Sequence, residues 1–98
     1  MNELLSAYTG QQVVVETDTP LSYLGRLEAA DETHIQLTEC AIYDEVAVQV
    51  SLDEYLIEAM KYGPAVQRHE LLVKRRRVVA IGPLDQVVDP MDVSDDAV

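Results

Sequence analysis

A single glycine, Gly25, stands inside Leu21 to Ala30, a stretch that otherwise has the make-up of a β-strand. A strand glycine costs stability unless the backbone must bend or pack closely at that point. A small, sharply curved sheet needs such a point. Tyr23, Leu27 and Ala29 share the parity of Gly25, while Leu24, Arg26 and Glu28 take the other face. Gln12 to Thr17, with Val13-Val14-Val15, reads as the preceding strand, and Asp18-Thr19-Pro20 as the turn between the two. Asp31-Glu32-Thr33 turns the chain into a third strand, His34 to Tyr43. Ile35 and Leu37 alternate there with His34, Gln36 and Thr38; parity then shifts toward Cys40 and Ile42, which predicts a bulge near Thr38 or Glu39.

Two segments have helical signatures. Asn2 to Tyr8 reads as a short helix capped by Asn2, with Leu4, Leu5 and Tyr8 on one face and Gly10 as its stop. Ser51 and Glu54 form a capping-box pattern, followed by Leu52, Tyr55, Leu56, Ala59 and Met60 at helical spacing and closed by Gly63-Pro64. This places an inserted helix at about 51–62. Just before it, Val46 to Val50 has the composition to extend the sheet. Strands from Arg68 to Lys74 and from Val78 to Gly82 flank a tight turn at Arg75 to Arg77. The expected fold is mainly β: a strongly bent, five-stranded antiparallel barrel with an N-terminal helix and a helix between strands 3 and 4. The domain is expected to span 1–85, leaving 86–98 as an acidic, disordered tail.

Charge bears on partners. The net charge is −11, yet six of the seven Lys and Arg residues fall between Lys61 and Arg77. None lies between Leu27 and Met60, where nine acids sit, and five more acids follow Pro83. Nucleic acid requires a basic footprint, and this chain concentrates its cations in one stretch. No apolar run is long enough for a membrane span and no leader pattern opens the chain, so the expectation is a cytoplasmic protein. The lone Cys40 excludes an internal disulfide and reads as a small buried side chain. His34, His69 and Cys40 lack metal-ligand spacing, and no nucleophile–base pair or phosphate loop occurs, so neither an enzyme nor a cofactor is expected.

The order of helix, three strands, spacer and two strands, with Gly25 and Asp31 at the family spacing, resembles the Sm-like family over residues 3 to 83. That family's first motif continues from the Asp into a strand opening with a stacking residue, an apolar residue and an Asn. Two alignments are open. Without a gap, Thr33 takes the stacking place and Ile35 the Asn place, which abolishes a base pocket. With one extra loop residue, His34-Ile35-Gln36-Leu37 becomes stacker, core residue, carboxamide and core residue, which period two favours. In the second motif, Val73, Lys74 and Arg75 stand where the family has an apolar residue, Arg and Gly. An Arg strains any turn that requires positive φ, so the turn type is expected to differ.

The resemblance implies a cyclic homo-oligomer of about five to eight subunits, because such a barrel leaves strand edges that a neighbouring copy can pair. It also implies single-stranded RNA at the pore, with His34, Gln36, Lys74 and Arg75 as the binding residues. The alternative is an acidic oligomeric scaffold that binds a basic protein partner and no RNA. The apolar face of the inserted helix discriminates: covered by the barrel it is structural, exposed it is a docking surface.

Overall fold

The computed structural model describes residues 3–90; the capping role expected of Asn2 and the end of the acidic tail lie outside them. The elements are α1 (Glu3–Ser6), β1 (Gln12–Thr17), β2 (Leu21–Ala30), β3 (His34–Asp44), α2 (Leu52–Tyr62), β4 (Arg68–Lys74) and β5 (Val78–Pro83). Three-residue 3-10 turns at Arg75–Arg77 and Leu84–Gln86 flank β5. All strand pairs are antiparallel, in the order β4-β3-β2-β1-β5. The sheet is bent and open: β4 and β5 are its two edges.

Gly25 is a close-approach point within this bend. A Cβ there would lie 3.1 Å from the Thr38 carbonyl oxygen, 3.2 Å from Leu37 Cβ and 3.3 Å from Cys40 Sγ. The β2–β3 register shifts across it, between Leu24 and Arg26, and again further along, between Leu27 and Ala29. The expected bulge falls at Glu39, which has φ 52°, the one positive value at a non-glycine position among the described residues. Such shifts sharpen the bend of a strand and re-aim its side chains.

Both faces of the central sheet are covered. Inside the bend, Leu5, Val13, Val15, Leu27, Ile35, Leu37, Cys40 and Val73 form one core. On the outer face, Leu56 and Ala59 of α2 pack with Val14, Leu24, Ala41 and Leu84. This accounts for a run of three valines in β1, every one of them buried. A strand covered on both faces has no polar side to its pattern. The apolar stripe of α2 is therefore structural. Its N-terminus carries the full capping box, with Ser51 Oγ accepting from Glu54 N–H and Glu54 accepting from Ser51 N–H.

Three expectations are corrected. Leu4 does not share the buried face of the N-terminal helix; it is 90% exposed, because α1 is one turn long and offers only Leu5 to the core. Val46–Val50 is not strand but a turn, in which the N–H groups of Ala47 and Val48 donate to Asp44 O and Val46 N–H donates to Asp44 Oδ1. Those local bonds, with Val46 left exposed, outweigh the β propensity of the valines. Packing also continues past residue 85. Val87 packs against the outer core, and Asp89, only 8% exposed, forms an ion pair with Lys61 of α2 at 2.9 Å.

Candidate nucleic-acid interface

The β2–β3 loop is built around one carboxylate. Asp31 Oδ1 accepts hydrogen bonds from the backbone N–H of Thr33 and of His34, both at 2.8 Å, and from Thr33 Oγ1 at 2.9 Å. The His34 amide, followed by the Thr33 amide and hydroxyl, holds the Asp31 carboxyl down at about 2. Asp31 thus fixes the loop from which His34 emerges.

From that loop β3 alternates as period two requires. Ile35 and Leu37 are buried inside the bend, whereas His34 and Gln36 lie half-buried on the opposite face. Ile35 is therefore sealed off from any ligand, and the arrangement suits the alignment with one extra loop residue. The β3–β4 register sets His34 opposite Lys74, Gln36 opposite Leu72 and Thr38 opposite Glu70. His34, Gln36 and Leu72, with Ala29, Ala30 and Asp31, line a shallow cavity of about 170 Å³.

Lys74 is exposed beside His34, but Arg75 is differently engaged. Its N–H donates to Thr33 O at 2.9 Å and its Nη1 to Asp31 O at 2.7 Å. Arg75 therefore laces the β4 end to the β2–β3 loop. The turn it opens is a 3-10 turn with no positive φ, so an arginine is accommodated where the family pattern has glycine. Arg76 is exposed, while Arg77 reaches the β1–β2 turn through Asp18 Oδ2 at 3.3 Å.

Of the four residues expected at the site, His34, Gln36 and Lys74 share one end of the β3–β4 pair, and Arg75 braces it. Sequence reasoning missed Glu70, whose Oε2 accepts from Gln36 Nε2 at 3.1 Å. The parity of Glu70, Leu72 and Lys74 was available as a signal; the register that brings Glu70 to Gln36 was not. Among the described residues no cluster of His, Cys, Asp and Glu is arranged to hold a metal, and no helix is long and apolar enough to cross a membrane.

No protein-family model matches the chain, and neither does any curated protein. Solved structures do. An Sm-like protein from Archaeoglobus fulgidus aligns with a TM-score of 0.57 at 18% identity, over 84% of this chain and 91% of that one. The Sm protein of Pyrococcus abyssii in complex with a uridine heptamer gives 0.56 at 18% identity, over 83% and 93%. A chain of the NatC complex bound to Gag peptide and CoA gives 0.50 at 17% identity, over 92% and 97%. At these identities the likeness establishes the fold, and that fold is the Sm-like one.

Proposed function

We propose, from an Sm-like fold with two open edges, that this chain is the subunit of a ring that acts as a binding scaffold, not an enzyme. β4 of one copy would pair with β5 of the next, head to tail, until about five to eight copies close the circle. Both edges carry the features that such pairing covers: Leu72 in β4 is 60% exposed and Val79 in β5 is 66% exposed. Unpaired strand edges with exposed apolar side chains are otherwise an aggregation hazard.

In the ring, His34, Gln36 and Lys74 of each copy would line the pore and hold single-stranded RNA. The cross-strand pairing of His34 with Lys74 carries this reading. A flat ring and a cation on adjoining strands suit a base and its phosphate, and stacking contributes roughly 1–3 kcal/mol per base. The Pyrococcus protein of the same fold was solved with a uridine heptamer, which supports the choice of ligand. The test is an anisotropy titration of the purified protein with labelled oligo-U and oligo-A at low and physiological salt. Saturable binding that prefers one base, survives physiological salt and disappears in the His34→Ala, Gln36→Ala double variant is expected. Absence of binding even at low salt sinks the RNA assignment, and loss of the ring in the double variant makes these residues structural.

The second reading, a protein scaffold without RNA, is favoured by Glu70. Its carboxylate occupies the amide of Gln36 and adds negative charge where a phosphate chain would run. The NatC chain of the same fold belongs to a protein complex bound to a peptide, which is consistent with such a role.

A further inference from the structure

We infer that the groove on the exposed flank of α2 is a docking site for a short basic segment of a partner protein that carries an apolar side chain. The groove lies between the helix and the chain entering and leaving it, and encloses about 330 Å³. Val50, Tyr55, Tyr62 and Pro64 supply its apolar walls, Glu54 and Glu58 its charge, and no Lys or Arg lines it. Pockets of this size sit at the lower end of those that bury a small ligand, with room for about one large side chain and its neighbours. The inference concerns a different face from the β3–β4 end and does not rest on the RNA reading.

The walls are held in place. Tyr43 Oη donates to Val50 O at 2.8 Å, and the Tyr43 and Tyr55 rings meet at 5.1 Å between centroids. Gly63, at φ 86°, turns the chain back while its N–H caps the helix on Ala59 O at 2.8 Å. Gln67 N–H donates to Cys40 O at 2.7 Å and its Oε1 accepts from Ile42 N–H at 2.8 Å, so the returning segment is tied to β3. A groove fixed in this way loses little entropy when it is filled.

Charge selects the occupant. Glu54 and Glu58 stand one helical turn apart, a like-charge pair that weakens a helix and that a cationic partner relieves. The one cation of α2, Lys61, is directed to Asp89. The chain's own segment after Pro90 carries Asp92, Asp95 and Asp96 without a base, and nucleic acid has the same sign, so both are poor occupants. Tyr62, 79% exposed at the rim, provides an aromatic face for an aliphatic or guanidinium group.

The experiment titrates the full chain with fluorescein-labelled peptides: a lysine-rich peptide with a central Leu-Leu pair, its Ser-Ser counterpart, and its glutamate-rich counterpart. Saturable binding of the first is expected, with the Ser-Ser form several-fold weaker and the glutamate form inactive. Glu58→Gln should weaken binding about threefold and Tyr62→Ala on the order of tenfold. Both positions are exposed, and thermal melts of each variant should match the parent. Equal binding of the Leu-Leu and Ser-Ser peptides, or binding indifferent to both substitutions, overturns the inference. A fall in oligomeric mass in Tyr62→Ala also overturns it, since the groove would then be occupied by a second copy.

Discussion

Gln36 donates its side-chain amide to Glu70 across the β3–β4 pair, Nε2 to Oε2 at 3.1 Å. The carboxamide proposed to read a base edge is thus already engaged, and by an anionic group. Glu70→Gln should tighten oligo-U binding by about twofold to fivefold, the scale of one exposed charge interaction. The same change should leave the sensitivity of binding to salt unchanged or steeper, whereas loss of Lys74 should lower it. Anisotropy titrations across a salt series check both; unchanged affinity in Glu70→Gln would remove Glu70 from any account of the pore.

The exposed edge at β5 makes a separate prediction. Val79→Lys places a charge on the strand that the proposed ring pairs with β4, a common device against edge pairing. The variant should keep its β-rich circular dichroism spectrum and run as a lower-mass species in light scattering. Because each copy carries −11, lowering the salt should weaken assembly of the parent protein as well. A parent that is monomeric at micromolar concentration would sink the ring.

Gly25 is tested by adding one methyl group. In Gly25→Ala the new Cβ would press on the Thr38 carbonyl and on Leu37 Cβ, at 3.1 and 3.2 Å, and neither can swing aside as a side-chain end would. Overpacking of this kind costs about 1–3 kcal/mol. A urea midpoint that falls accordingly, with the slope unchanged, is the expected result. An unchanged midpoint would show that the bend relaxes without cost.

Asp31 gives the fold a pH signature. Its folded carboxyl, at about 2, lies below the ordinary 3.8 because the His34 and Thr33 amides stabilise the anion. The stabilisation is complete above the unfolded value and is lost as pH falls through the folded one, that is, from about pH 4 down to about pH 2. Urea midpoints measured through that window should decline in the parent and decline less in Asp31→Asn. Parallel curves for the two proteins would remove Asp31 as the source.

Much of the architecture was legible because its signals are local. The valine run in Gln12–Thr17 and the alternation in Leu21–Ala30 mark strands wherever their partners lie, and the bounds read for these and for Arg68–Lys74 coincide with β1, β2 and β4. The capping box at Ser51 and Glu54 starts a helix from residues three apart, and the parity shift after Thr38 announces the bulge at Glu39. Val46–Val50 misled for the complementary reason. Its valines favour strand, but Asp44 offers nearby carbonyl and carboxylate acceptors that hold a turn.

The site divides along the same line. That Ile35 and Leu37 face inward while His34 and Gln36 face outward follows from period two and was readable from the chain alone. Which residues stand beside His34 and Gln36 was not. Lys74 lies opposite His34, Glu70 meets Gln36 and Arg75 laces Asp31 because a curved sheet sets one register between strands far apart in sequence. The sequence by itself determined the five strands and the inserted helix, the inward and outward sides of His34–Leu37 and the need for a close approach at Gly25. Only tertiary structure decided the register across β3 and β4, the burial of α2 on the outer face and the groove at its flank. Local pattern dictates which side of a strand is apolar; what covers that side depends on closure over long separations, where side-chain packing rather than propensity selects among the registers the pattern allows.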